Sequence, residues 1–334
     1  MSQIAFGGIP VMRVPKAEAV TLIREIIGMG INFIDTANGY ADSEEKIGAA
    51  IEGMRREELI LASKSTADDK KTFNEHLDLS LKRLGVEYID IYQLHHVSSE
   101  KRCDAVFAPG GAFEGLQEAI AAGKVRFPAF SSHNIPTAIK VMKSGKFDAV
   151  QIPFNYIDYE AEKEIIPLAK ELDIGFIAMK PMGGGLLSDA GLSFRYLMQY
   201  DGIVPDPGIE RIEEIREIVA IVEKAEPLSE QDKKEIEKLR AEFGPSWCHR
   251  CDYCKPCPQD IPMSMVLLAR SMVKRFSPER ARSMVGSNID KARNCVECGA
   301  CVTRCPYNLE IPKLMKESIE FWDDLIKIDG SKNT

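Results

Sequence analysis

Between residue 4 and about residue 224, short β-branched runs alternate with amphipathic segments eight times over, and no other feature restricts the fold so strongly. The runs are Ile4 to Gly8, Asn32 to Thr36, Leu59 to Ser63, Tyr88 to Leu94, Lys124 to Ser131, Asp148 to Pro153, Ile174 to Ala178 and Gly202 to Pro205. The segments between them carry apolar residues at helical spacing, as in Phe73, Leu77, Leu81 and Leu84, or Ile212, Ile215, Val219 and Val222. Strand followed by helix, repeated, implies parallel strands joined by crossover helices. Eight such units predict an α/β fold closed into a (β/α)₈ TIM barrel. An open doubly wound sheet would instead need a Gly-rich phosphate loop after the first strand. Here Gly7-Gly8 runs into Ile9-Pro10, which does not fit that pattern.

The chain has 334 residues, of which 45% are hydrophobic, enough for one large core and a smaller second module. Pro227-Leu228-Ser229 interrupts the pattern, and Ser229 suits the N-cap of a charged helix from Glu230 to Phe243. The expected division is therefore a barrel over 1–226, a linker helix over 227–245 and a mostly helical second domain over 246–334. A net charge of -8 without a dominant basic face argues against nucleic acid and anionic membranes as partners. No basic start leads into a long apolar run, and no stretch is apolar enough to span a bilayer, so a cytoplasmic location is expected.

The run Phe33-Ile34-Asp35-Thr36-Ala37-Asn38-Gly39-Tyr40 ends a strand in a carboxylate and adds a phenol five residues later. Catalytic groups of (β/α)₈ barrels lie at the C-terminal ends of the strands. Ser63-Lys64 follows the third predicted strand, and Gln93-Leu94-His95-His96 ends the fourth. Singly, each residue has a structural reading: Asp35 as a helix cap, Tyr40 as a packed loop residue, Lys64 as solvated and His95 as a core histidine. Together at consecutive strand ends they form a catalytic constellation. It suits carbonyl reduction by hydride transfer, with Lys64 beside Tyr40 favouring loss of the phenolic proton and Asp35 keeping the lysine charged. His95 would polarise the substrate carbonyl or share its proton with Tyr40.

From these residues the barrel resembles the aldo-keto reductase superfamily over residues 4 to about 224. Further motifs that carry the resemblance are Ser43-Glu44-Glu45-x-Ile47-Gly48, Ser80-Leu81-x-x-Leu84 and Tyr88-Ile89-Asp90-Ile91-Tyr92-x-Leu94-His95. The resemblance implies a catalytic tetrad of Asp35, Tyr40, Lys64 and His95. It also implies NADPH or NADH as cofactor, contacted by Ser131, Ser132 and Gln151 at the carboxamide and by Met179, Lys180 and Gly183 in the loop over the nicotinamide and pyrophosphate. His96 is left without a role. The chain departs from the family pattern in lacking the hairpin that plugs the barrel floor and in having Ala129 for a usual glycine. Gly208, Ile209 and Glu214 stand where many members hold the adenosine 2′-phosphate, and Ile218 where an adenine-contacting asparagine is usual. A carboxylate beside a phosphate site is unfavourable, which leaves the choice between NADP and NAD open.

Eight of nine cysteines fall between Cys248 and Cys305, a clustering that points to metal or cluster ligation rather than to disulfides. Cys248-x-x-Cys251-x-x-Cys254-x-x-Cys257-Pro258 and Cys295-x-x-Cys298-x-x-Cys301-x-x-x-Cys305-Pro306 resemble the runs of two-cluster ferredoxins. The resemblance implies two 4Fe-4S clusters, one held by Cys248, Cys251, Cys254 and Cys305 and the other by Cys295, Cys298, Cys301 and Cys257. The first run is one residue short before its last cysteine, so the exchange of fourth ligands stays open, and Cys₄ zinc sites are the alternative. Each run is followed by Ile-Pro, at Ile261-Pro262 and Ile311-Pro312, and then by an apolar helix. Cys103 is expected to be an uninvolved thiol.

The basic residues Arg270, Lys274, Arg275, Arg280, Arg282, Lys291 and Arg293 form either a solvated face or a docking patch for an acidic, ferredoxin-like electron carrier. The expected function is an NAD(P)H-dependent oxidoreductase that interconverts a small carbonyl compound and its alcohol, with Tyr40 as general acid. Such chemistry moves two electrons at once, whereas a cluster passes one. The clusters would therefore serve electron transfer, redox sensing or folding, and a redox-sensing or electron-relay protein with little turnover is the alternative.

Overall fold

The computed structural model describes residues 1–244, 246–250, 254–275, 278–305 and 307–330. Eight strands follow one another in sequence: β1 (Phe6–Gly7), β2 (Phe33–Asp35), β3 (Ile60–Ser65), β4 (Ile89–Leu94), β5 (Val125–Ser131), β6 (Ala149–Pro153), β7 (Gly175–Met179) and β8 (Ile203–Asp206). All neighbours are parallel and the spatial order is the sequence order. Backbone bonds from Ala5 N to Pro205 O and from Gly7 N to Pro207 O, each 2.8 Å, tie the first strand to the end of the last and complete the ring. Each expected strand is present. One boundary matters for the site: β3 runs two residues beyond the expected Ser63, so Lys64 lies within the strand rather than after it.

The outer helices are α1 (Lys16–Gly28), α2 (Ser43–Ile51), α3 (Lys70–Leu84), α4 (Glu100–Phe107), α5 (Ala112–Ala121), α6 (Ile135–Met142), α7 (Ala161–Glu171), α8 (Ala190–Leu197) and α9 (Ile212–Lys224). Their ends are set by local chemistry. Asp69 caps α3 by accepting from Thr72 N, and Gly85 ends it in the left-handed region at φ 68°. Inside the barrel, Ala5, Phe33, Ala62, Ile91, Ala129, Ala149, Ile177 and Val204 form one buried cluster, about one residue per strand. Four alanines among them leave room for Phe33 and the branched side chains, so the interior is filled and not a pore. Ala129, which replaces a usual glycine, is fully buried in this layer.

Contact density divides the chain into two units, one of Met1–Met182 with Asp189–Leu228, the other of Gly183–Ser188 with Ser229–Thr334. The helix α10 (Glu230–Phe243), expected as a linker, groups with the second unit. Ser229 caps it as the sequence suggests, its hydroxyl accepting from Asp232 N at 3.1 Å while Asp232 accepts from Ser229 N. The short loop Gly183–Ser188 also belongs to the second unit, where the Gly183 α-carbon packs against Trp247 and Leu187. A β-carbon there would approach Trp247 to 2.7 Å. The other elements described in that unit are helices: α11 (Met263–Leu267), α12 (Ala269–Arg275), α13 (Pro278–Ala292), α14 (Ala300–Thr303) and α15 (Ile311–Gly330). Among the described residues no helix is long and apolar enough to cross a membrane.

Candidate active site

The loop that carries Tyr40 is fixed by polar contacts on both flanks. Thr36 Oγ1 donates to Ser43 Oγ, whose own hydroxyl donates to Gly8 O at 2.8 Å. Asn38 N bonds Lys64 O, and the Asn38 amide reaches His76 O and Ser80 Oγ. Backbone bonds from Tyr40 N to Ala37 O and from Ser43 N to Tyr40 O, each 2.9 Å, fix the main chain that carries the phenol.

Beneath it Lys64, 2% exposed, donates from Nζ to Asp35 Oδ2 at 2.5 Å and to Thr36 O at 2.6 Å. The same Nζ lies 5.4 Å from the centroid of the Tyr40 ring. Burial alone would strip the ammonium of its proton, but Asp35, Tyr40 and Asp206 outweigh it and shift the lysine upward, so Lys64 is a buried cation. His95 follows β4 directly, its N bonded to Ser65 O at 2.8 Å and its ring edge-on to Tyr40 at 5.9 Å. Burial, with His96, Lys64 and Lys180 adding to it, holds this imidazole well below the ordinary histidine range. It is therefore neutral at pH 7, one nitrogen a donor and the other an acceptor. The structure thus brings Asp35, Tyr40, Lys64 and His95 together.

The residues expected to contact the cofactor differ in the partners they have. Gln151 on β6 donates from Nε2 to Asp206 Oδ2 at 2.8 Å, while its Oε1 is buried without a hydrogen-bond partner. A buried unpaired amide oxygen is the acceptor a carboxamide N–H requires, so this residue fits a nicotinamide. Ser131 Oγ accepts from His96 N at 3.0 Å and keeps its own proton to donate. Ser132 is engaged locally, its hydroxyl donating to Asn134 O and accepting from Asn134 N. Met179 ends β7, and Lys180 sits in the left-handed region at φ 60° with Nζ 2.6 Å from His133 Nε2. Gly183 lies in the segment that groups with the second unit.

Two features went unread in the sequence. His95, His96 and His133 stack in a row, with ring centroids 4.1 and 5.0 Å apart. His96 takes part through a left-handed backbone at φ 61°, which residue order alone does not reveal. Asp206 closes β8 and is buried beside Asp35 and Lys64. A carboxylate at a strand end is the same signal that marks Asp35, but the β-branched run that predicts this strand stops at Pro205, one residue short of it.

At the start of α9 the carboxylate of Glu214 accepts from Glu210 N at 3.0 Å and Arg211 N at 3.2 Å and pairs with the Arg211 guanidinium. Arg13 is bonded to Glu210. Ile209 and Ile218 are buried.

In the second unit a pocket is lined by Cys257, Cys295, Cys298 and Cys301 with Cys254 also on its wall, amid Ile261, Met263, Pro312 and Met315. Thiols converging in an apolar setting fit an iron-sulfur cluster, which needs thiolate ligands and shelter from water. Cys248 and Cys305 are half-buried, and Cys251 lies outside the described residues. Cys103 is buried in α4, far in sequence from the other eight. Much of the basic run is internally occupied: Lys291 pairs with Asp260, Arg293 with Asp323, and Arg270 lies over the Phe321 ring. The side chains of Lys274, Arg275 and Arg280 lie outside the described ones.

Residues 3–193 match the aldo/keto reductase family, and residues 247–310 match the 4Fe-4S dicluster domain. The chain belongs to the aldo/keto reductase family. It is 34% identical over 192 residues to the uncharacterized oxidoreductase YqkF of Bacillus subtilis, a match that covers 53% of this chain and 60% of that relative's length. Among solved structures, aldo-keto reductase AKR11C1 from Bacillus halodurans superposes with a TM-score of 0.62 at 24% identity, covering 71% of this chain and 92% of that one. An aldo/keto reductase from Klebsiella pneumoniae, solved in complex with NADP and acetate, gives 0.61 at 21% identity, covering 72% and 92%. These likenesses show the shared barrel.

Lys64→Met leaves Asp35 buried without its ammonium and is expected to cost roughly 3–5 kcal/mol in denaturant unfolding. The Asp35→Asn/Lys64→Met double variant should recover much of that loss. Because His95 is depressed in the folded state, acid protonates the unfolded chain first, and the stability it contributes is lost as pH falls from about 6.5 toward the lower folded value. In His95→Gln this segment of the stability-pH curve should flatten.

Proposed function

We propose that the protein is an oxidoreductase that interconverts a small carbonyl compound and its alcohol, using a nicotinamide coenzyme, with Tyr40 as general acid in the reducing direction. The observation that carries this reading is the buried Asp35–Lys64 pair beneath the Tyr40 ring. A bound nicotinamide supplies the hydride. Tyr40 supplies the proton to the developing alkoxide. A free phenol, with a pKa of about 10, is a weak acid at neutrality. The adjacent ammonium stabilises the phenolate left behind, and Asp35 keeps that ammonium charged and aimed. Neutral His95 donates an N–H to the carbonyl oxygen without competing for the phenolic proton. Gln151 and Ser131 orient the carboxamide.

The start of α9 supports NADH over NADPH. In the family pattern this is where a 2′-phosphate is held, and here the helix N-terminus is satisfied internally by Glu214, with both nearby arginines already paired to glutamates. A phosphate there would face carboxylates instead of free cations. Hydroxyls of an unphosphorylated ribose can donate to the same carboxylates.

The cysteine unit adds one-electron capacity through two 4Fe-4S clusters, with Cys257 joining Cys295, Cys298 and Cys301 around one of them. Cys298 is exposed, and its neighbour Val296 is 62% exposed, so that site borders the surface. A small one-electron carrier is the partner this arrangement suits. A relay protein with little carbonyl turnover is favoured by one observation, the match of residues 247–310 to a 4Fe-4S dicluster domain, whose clusters hydride transfer would not use.

Tyr40→Phe should lower carbonyl turnover by about 10²–10⁴-fold while nucleotide affinity stays near that of the wild type. Unchanged turnover would remove Tyr40 from the chemistry, and a wild type that turns over no carbonyl at all would favour the relay. Glu214→Arg should move kcat/KM toward NADPH by at least about tenfold, equivalent to ~1.4 kcal/mol. Anaerobically purified protein should contain about eight iron atoms per chain and bleach on reduction. Zinc in their place would contradict the cluster assignment.

A further inference from the structure

Asp206 is a buried titratable group that the reading above does not use. Its carboxyl lies inside the barrel, with a neighbour on each facing strand. On β1 it meets Gly7, where a β-carbon would come within 2.9 Å of Asp206 Oδ1. On β6, Gln151 donates to Oδ2 at 2.8 Å. The charged neighbours are Asp35 on β2 and Lys64 on β3. Gln93 on β4 reaches Asp35 rather than Asp206, at 3.5 Å, and His95 above is neutral.

The count of protons follows from this geometry. Two carboxyls and one ammonium share a site from which water is excluded, and full ionisation would leave one buried negative charge without a partner. Asp206 Oδ1 is buried and has no hydrogen-bond partner among the described residues, while Gln151 Nε2 lies 2.8 Å from Asp206 Oδ2 and 3.5 Å from Asp35 Oδ2, so that one amide bridges the two carboxyls. Two carboxylate oxygens in that relation repel, unless one carries a proton that it donates to the other. We propose that Asp206 shares one proton with Asp35 across the barrel, and that this proton, by balancing one carboxylate against the Lys64 ammonium, sets the acidity of Tyr40. Asp206 is thus a positioning residue that acts through Asp35 and Lys64, and it also fixes which way the Gln151 amide faces.

Burial and the Asp35 charge push Asp206 well above the ordinary carboxylate range, with Lys64 and Gln151 offsetting only part of the effect. The sign of the consequence is fixed. Below that raised value Asp206 is neutral, and the full field of Lys64 acts on the phenol. As pH rises through it, a second buried negative charge appears, the field is partly cancelled, and Tyr40 becomes a weaker acid. Asp206→Asn, which keeps the shape of the side chain but cannot ionise, should delete this step.

The link to Tyr40 rests on the carbonyl-reductase reading, so the test has one arm that needs no turnover. Infrared spectra of the full-length protein at pH 7 should show a protonated carboxylic acid band that shifts when the protein is grown on carboxyl-¹³C aspartate and is missing in Asp206→Asn. A labelled wild type without such a band overturns the shared proton, even if the variant fails to fold. In the second arm, the pH dependence of carbonyl reduction should lose one ionisation in Asp206→Asn. A variant that is active with the wild-type pH profile overturns the link to Tyr40. Absence of turnover in the wild type defeats the functional reading alone, because the infrared band still decides the proton.

Discussion

The ion pair between Lys64 and Asp35 is the constraint around which the barrel's upper layer is arranged. A charged lysine at 2% exposure is expensive unless its partner is close and its protons find acceptors, and here Asp35 Oδ2 and Thr36 O take two of its three. Meeting them requires β2 and β3 to be adjacent and in register, with Asp35 opposite Ala62 two residues short of Lys64. The same registration brings Asn38 N to Lys64 O, which anchors the Tyr40 loop. Strand pairing, loop geometry and the chemistry of the phenol thus share one cause.

Charge balance explains the residues around the pair. Around it stand a histidine kept neutral by burial and by the neighbouring charges, and a second carboxyl on β8 that burial and Asp35 drive toward its protonated form. Such a set gains or loses a proton at one place without leaving an uncompensated charge elsewhere, as proton donation to a developing alkoxide demands. The second unit solves a different problem. Its short helices alone bury little, and a pocket of converging cysteines supplies ligands whose bonds to iron would add to the stability of the fold.

Much of this could be read from the chain because periodicity and strand-end chemistry are local. The eight strands follow from β-branched runs, and Asp35, Tyr40 and His95 from their positions after those runs. Lys64 was identified although its strand extends past it, since either placement leaves it at the same end of the barrel. What the sequence hid depends on partners distant along the chain. Asp206 acquires its character from Asp35, far away in sequence, and Glu214 from two backbone amides that only the folded turn aligns. The grouping of Gly183–Ser188 with the second unit is likewise a tertiary property, expressed in packing against Trp247. The partners of the Ser132 hydroxyl, Asn134 O and N in the turn before α6, also come from the folded backbone.

The central claim is that the barrel transfers hydride directly between a nicotinamide and a carbonyl carbon, with the proton coming from the protein. The most direct measurement is a single turnover under anaerobic conditions, using nicotinamide coenzyme deuterated at the transferring carbon and mass spectrometry of the alcohol formed. The account predicts one deuterium on the former carbonyl carbon and clusters whose absorbance does not change during the turnover. An alcohol without deuterium, or clusters that bleach in step with coenzyme oxidation, would contradict it.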